Sequence, residues 1–227
     1  MLAVLVDPDR NDRKSLETII DYSVDAGIDF FLAGGSIVFS SLEETIIKLK
    51  ESSLPVVLFP GNAMQFCEKA DAVFFISLIS GRNPEFLIGH HVLAAPSIKR
   101  SGIKTIPVGY ILIENGGTTS VQYMSNTNPV PANKPEIVVA TAIAGELLGL
   151  KAIYLEAGSG AYQSVGLNVI REVRNNISIP LIVGGGIKTG KSAREIYQAG
   201  ADIIVIGTAV EENPSVIAEF ASACKSF

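Results

Sequence analysis

"GADIIVIG", residues 200–207, is the last of five related phrases in this chain; the others are "GIDFFLAG" (27–34), "ADAVFFIS" (70–77), "GIKTIPVG" (102–109) and "GLKAIYLE" (149–156). Each sets a small residue beside a charged one and then runs through aliphatic or aromatic side chains. A helix ending on Gly or Ala, a polar turn, and a strand too uniformly apolar to face water account for that order. A second phrase, "SLPVVLFPG" (53–61) and "SIPLIVGGG" (178–186), places Pro at the first strand position, where its missing N–H costs least. With "LAVLVDPD" (2–9), eight strands are predicted, beginning near Leu2, Ile28, Pro55, Ala72, Thr105, Ala152, Pro180 and Ile203.

Helical patterns fill most of the intervals, among them "LETIIDYSVDAG", "LEETIIKLKESS", "EIVVATAIAGELLG" and "SAREIYQAG". Alternating strands and helices with short turns imply parallel pairing through crossover helices. Eight units in 227 residues predict a single α/β domain, a (β/α)8 TIM barrel spanning 1–227, with a doubly wound open sheet as the alternative. The third interval holds only "NAMQFCEKA", so its helix should be short or irregular. The fifth holds a long polar loop, residues 114–135, of a length associated with lids and walls.

Composition narrows the function. A formal charge of -5 with no basic cluster argues against a nucleic-acid surface. Charged residues are 18% of the chain and mean hydropathy is +0.36, as expected for strands buried on both faces. The most apolar stretch, 137–155, contains Glu146, Gly149 and Lys151 and is predicted as helix, turn and strand, not as a membrane span. Cys67 and Cys224 have no metal or redox spacing and are expected as small buried hydrophobes in a reducing cytoplasm. Apolar residues on the helix patterns allow a homo-oligomer without locating its interface.

Ligands in such a barrel lie at the C-terminal strand ends, which here are rich in carboxylates and glycines and hold no His or Cys. His90 and His91 are adjacent in a predicted helix and are read as structural, since neighbours diverge around a helix. No Ser/His/Asp set and no strand-end lysine can be assembled, which weighs against triad hydrolysis and imine chemistry. Gly184, Gly186 and Gly190 have the wrong spacing for a dinucleotide fingerprint, and the Lys-Ser/Thr ending of a mononucleotide P-loop is missing. The turns "GGGI" after strand seven and "GTA" after strand eight suit a phosphate, because glycine lets an anion approach bare N–H groups. Across the rim, Asp7 and Asp9 follow strand one and Ser36 follows strand two, a combination that Mg²⁺ can use although "DPD" is also an ordinary turn.

These residues resemble a known family. "VDPD", "LAGGS", "PVGYILI", "YLEAGSG", "VGGGI" and "VIGT" occur in the order, and at the strand ends, of geranylgeranylglyceryl phosphate synthases and their bacterial prenylglyceryl phosphate synthase relatives. The resemblance spans essentially the whole chain. It implies an enzyme of ether-lipid biosynthesis that transfers a prenyl group from a polyprenyl diphosphate, geranylgeranyl or longer, to the C3 hydroxyl of sn-glycerol 1-phosphate with Mg²⁺. By position it implies metal ligands at Asp7 and Ser36. Glycerol-phosphate contacts fall on Tyr154, Leu155, Glu156, Ala157, Gly158, Ser159 and Gly160, on Gly185 and Gly186, and on Gly207 and Thr208. Glu156 is the expected base, or else only orients the hydroxyl.

A long prenyl chain needs an apolar trough, for which Phe59, Ile76, Leu78, Tyr110 and Ile111 are candidate walls, with "SGRNPEFLIGHH" alongside. The prenyl substrate leaves room for transient contact with a membrane surface. Some relatives carry Lys where this chain has Leu5, so that anion contact is not expected here, and many begin with an additional helix ahead of the first strand. A phosphate-gripping isomerase or epimerase, or a non-catalytic phosphate sensor, are the rival readings of the same frame.

Overall fold

In the computed structural model, which describes residues 1–224, eight strands close into a parallel barrel in chain order: β1 (Leu2–Val6), β2 (Phe30–Ala33), β3 (Val56–Leu58), β4 (Ala72–Leu78), β5 (Lys104–Leu112), β6 (Ala152–Glu156), β7 (Leu181–Gly184) and β8 (Ile203–Ile206). Closure is made by β1 pairing with β8, with Ala3 opposite Val205. The charged residues of the repeated phrases help fix the register. Asp29, Asp71 and Asp202 precede β2, β4 and β8, and their carboxylates accept the first N–H of the preceding strand, from Leu2, Val56 and Leu181 at 2.7, 2.8 and 2.8 Å. A backbone donor that the ladder would leave open is thereby satisfied.

The uniform hydrophobicity of the strands follows from their two buried faces. Ala3, Leu32, Val57, Phe74, Val108, Tyr154, Ile182 and Val205 fill the barrel interior. Their neighbours Val4, Phe31, Leu58, Val73, Leu155, Val183 and Ile204 pack outward against the helices. Alternation at period two thus places one residue of each consecutive pair in each layer.

The outer layer comprises α1 (Arg13–Ala26), α2 (Leu42–Lys50), α3 (His90–Ser101), α4 (Ser120–Ser125), α5 (Pro135–Leu147), α6 (Leu167–Asn176), α7 (Gly190–Gln198), α8 (Thr208–Glu212) and α9 (Ile217–Cys224). The residues 137–155 resolve into most of α5, a turn and most of β6, and no helix is long and apolar enough to cross a membrane among the described residues. The third connection departs from expectation: residues 59–71 form turns and no helix. Gln65 explains the compactness of this link, because its side-chain amide accepts from Gly61 N–H at 3.1 Å and donates to the Gly35 carbonyl at 2.9 Å. A single-turn π-helix, Glu85–Gly89, leads into α3. His91 packs edge-on to Phe75 and shares a 3.2 Å hydrogen bond between Nε2 and Ser77 Oγ, while His90 lies edge-on to Phe86. Burial lowers the His91 pKa, and both rings pack against aromatic neighbours.

Candidate active site

The C-terminal strand ends enclose a cavity of about 550 Å³. Its floor is aromatic: Tyr110 and Tyr154 stack with centroids 5.1 Å apart, and Phe59 lies 5.4 Å from Tyr154. Above them stands Glu156, a residue only 6% exposed. Its Oε1 accepts the Gly158 N–H at 2.6 Å, and the Tyr110 and Tyr154 hydroxyls also donate to the carboxylate. Burial outweighs these donors and raises the Glu156 pKa to about 6. Burial, with the neighbouring Glu156 charge, raises both tyrosine pKa values well above the usual range, so the phenols stay protonated donors.

The glycine triplet fits this arrangement by what it lacks. A Cβ on Gly184 would lie 2.1 Å from the Tyr154 hydroxyl, and one on Gly185, whose φ is +82°, would lie 2.3 Å from Glu156 Oε1. Gly184 is therefore more than the end of a strand: it makes room for Tyr154. Gly185, Gly186, Gly207 and Thr208 line one side of the cavity together with Ser159 and Gly160.

Asp7 and Ser36, at the ends of β1 and β2, line the same cavity. The two aspartates of "DPD" divide their work. Asp9 accepts Phe39 N–H at 2.9 Å and Ser40 N–H at 2.6 Å, which holds the β2 loop and lowers its pKa. Asp7 stays turned to the cavity, its pKa raised by burial. Gly35 leaves the space that a Cβ would fill 3.1 Å from Asp7 Oδ2. Asp7 and Ser36 both line this cavity, and a carboxylate and a hydroxyl are hard oxygen donors of the kind Mg²⁺ takes, so their chemistry fits that ion.

From the floor, an apolar groove of about 70 Å³ runs past Phe59, Ile76, Leu78, Phe86, Tyr110 and Met124. A second cavity of similar size lies beneath α3 and shares Ile76, Leu78 and Phe86. Four of the five expected trough residues therefore meet. Ile111 does not: it is fully buried in the outer layer against the helices, because in β5 it is the outward neighbour of Tyr110. The same alternation turns the side chain of Leu155 outward, and Ala157 packs in that outer layer too, so neither offers a side chain to the cavity. Gly158 is held against Thr119, which a Cβ would meet at 2.2 Å.

Several site residues carried no signal in their own stretch of sequence. Arg10, Lys188 and Glu211 line the cavity, and Gln65 ties the β2 loop that presents Ser36. The long loop after β5 brings Ser120 and Val121 to the wall and Met124 to the groove, and Asn115 and Gln163 clasp it to the β6 loop.

A profile of the PcrB family matches residues 2–224. The chain belongs to the PcrB family. The geranylgeranylglyceryl phosphate synthase of Spirosoma linguale is 45% identical over 99% of this chain and 91% of its own length. The crystal structure of (S)-3-O-geranylgeranylglyceryl phosphate synthase from Thermoplasma acidophilum, in complex with its substrate sn-glycerol-1-phosphate, superposes with a TM-score of 0.95 at 33% identity, covering 100% of this chain and 94% of that one. The wild-type enzyme from Thermoplasma volcanium gives 0.93 at 34% identity, covering 100% and 93%. This PcrB-family barrel thus shares its whole fold with proteins of that activity.

Proposed function

We propose that this protein joins a polyprenyl diphosphate to the C3 hydroxyl of sn-glycerol 1-phosphate, releasing diphosphate and forming the prenyl ether. The observation that carries this reading is the position of Glu156: a buried carboxylate where glycine turns, an oxygen-donor pair and an apolar groove converge. The Thermoplasma acidophilum relative, which holds sn-glycerol-1-phosphate, supports the choice of acceptor.

In this reading the acceptor phosphate rests on the turns at Gly185–Gly186 and Gly207–Thr208, where N–H groups can approach it without an intervening Cβ. Ser159 and Gly160 close that side. Tyr154 and Tyr110 hold Glu156 by donating to it, so the carboxylate keeps an acceptor lone pair for the C3 hydroxyl. As the hydroxyl oxygen attacks the allylic C1, the C1–O bond to diphosphate breaks with its electron pair, and Glu156 takes the hydroxyl proton. Asp7 and Ser36 would hold Mg²⁺, which offsets the charge gathering on the leaving diphosphate. Phe59, Ile76 and Leu78 receive the chain, where each buried CH₂ contributes about 0.8 kcal/mol.

The test is to incubate the protein with sn-glycerol 1-phosphate, geranylgeranyl diphosphate and Mg²⁺ and to look for prenyl ether by mass spectrometry. Ether is expected; phosphate binding without ether would favour a sensor. Running longer diphosphates in parallel addresses chain length. Phe86 borders both the groove and the cavity beneath α3, so Phe86→Ala should join them. Its expected result is a rise of about tenfold in the preference for a longer diphosphate over geranylgeranyl, the equivalent of roughly two additional buried CH₂ groups. An unchanged preference would place the end of the trough elsewhere.

A further inference from the structure

The cavity must accept two highly charged anions, yet among the described residues lining it the cationic side chains are Arg10 and Lys188, against Asp7, Asp9, Glu156, Glu211 and Glu212. Lys188 follows the glycine turns of the β7 loop, on the side assigned above to the acceptor phosphate. Arg10 stands in the turn that carries Asp7, where the pairing of β1 with β8 sets it beside Glu211 of α8. The wall position Leu5 on β1 is apolar and supplies no charge there.

Arg10 is held in an unusual way. Its Nε is 3.8 Å from Asp7 Oδ2 and its Nη1 is 3.7 Å from Glu211 Oε2. Charge-assisted hydrogen bonds close to about 2.7–2.9 Å, so the guanidinium lies between two carboxylates without hydrogen-bonding to either. Its side chain is 55% exposed, a setting in which such pairs contribute little. The backbone beneath it is firm: Arg10 N–H donates to the Asp7 carbonyl at 3.1 Å, Asn11 Nδ2 donates to the same oxygen at 3.0 Å, and Asp9 N–H donates to Asp7 Oδ1 at 3.0 Å. A planar fork on a fixed turn, loosely held at the cavity wall, is suited to grip two oxygens of a diphosphate.

We propose that Arg10 is a diphosphate-binding residue, kept at the cavity wall by Asp7 and Glu211 until the anion draws it away. The inference rests on the prenyl-transfer reading for the identity of the substrate. Glu211 is then a positioning residue that competes with the anion for the guanidinium.

Binding of inorganic pyrophosphate with Mg²⁺, measured by calorimetry, tests the site apart from turnover. Arg10→Gln should weaken it about 10- to 100-fold, as expected for the loss of a hydrogen-bonded charge, and raise the KM for geranylgeranyl diphosphate while leaving that for glycerol 1-phosphate near its original value. Arg10→Lys should recover part of the loss, and Glu211→Gln should tighten pyrophosphate. Arg13→Gln, which removes an equal charge from an 86% exposed side chain on α1, should change none of these. Unchanged pyrophosphate affinity in Arg10→Gln, equal weakening for both substrates, or weaker binding in Glu211→Gln would overturn the proposal. If the wild type forms ether while Arg10→Gln binds pyrophosphate normally, Arg10 alone is refuted. If the wild type binds pyrophosphate through Arg10 but forms no ether, the anion site stands and the reaction falls.

Discussion

Glu156→Gln is expected to lower kcat by about 10²- to 10⁴-fold, the range for loss of a positioned base, and at the same time to raise the melting temperature. Both effects have one cause. Burial lifts the Glu156 pKa from 4.5 to about 6, so at neutral pH the fold carries a buried charge that water would solvate better. With the folded-state value above the ordinary one, the stability linked to this group is complete below pH 4.5 and is lost as pH rises through about 6. At roughly 1.36 kcal/mol per pH unit, that loss approaches about 2 kcal/mol above pH 6. Glutamine is neutral and nearly isosteric, and it keeps an oxygen for the Gly158 N–H. The variant should therefore gain most of that amount at pH 8 and nothing at pH 4.5.

Calorimetric melting at the two pH values checks the stability half. An equal or lower melting temperature at pH 8 would mean that the ionised carboxylate is well compensated after all. For the catalytic half, kcat/KM of the wild type should fall below pH of about 6, because only the ionised form accepts a proton. A pH-independent wild type would remove Glu156 as the base and leave it the role of orienting the hydroxyl.

Gly185→Ala carries the second large expectation. The residue has φ +82°, and a Cβ there would meet Glu156 Oε1 at 2.3 Å and the backbone nitrogens of Gly158 and Ala157 at 2.7 and 2.9 Å. The β6 end cannot retreat freely, since Ala157 N–H is bonded to the Gly184 carbonyl at 3.1 Å. Left-handed backbone alone costs a non-glycine residue roughly 1–3 kcal/mol, and the collision adds to it. A loss of more than about 2 kcal/mol in urea unfolding is expected, together with at least a 100-fold drop in kcat/KM as Glu156 is pushed off its place. Gly102→Ala provides the comparison: φ is +71° but nothing lies within 4 Å of the added carbon, so only the backbone term should appear. If the two variants lose equal stability and Gly185→Ala retains activity, the close approach to Glu156 has no consequence.

Much of the scaffold was legible because it rests on short-range patterns. Five repeated phrases marked strands, and the third interval was too short for a full crossover helix; the structure removes that helix altogether, since Gln65 ties the turn directly to the β2 loop. The phosphate turns, Asp7, Ser36 and Glu156 were legible as strand-end residues, and they do share one cavity. Ile111 does not join the trough, because period-two alternation from Tyr110 directs it to the helices. Gln65, Arg10 and Glu211 were missed for a different reason: their partners come from distant loops, and nothing in the local sequence reports them.

By itself, the sequence determined the order of strands and helices and the eightfold count, because hydrophobic period, turn chemistry and the cost of exposing an apolar strand act over a few residues. Only the tertiary structure decided which strand-end residues face one another. Barrel closure sets β1 beside β8 and so brings Arg10 near Glu211 from almost opposite ends of the chain. It also decided the chemistry of Glu156, whose pKa is set by burial among residues of β5, β6 and β7, an environment that exists once the chain has folded.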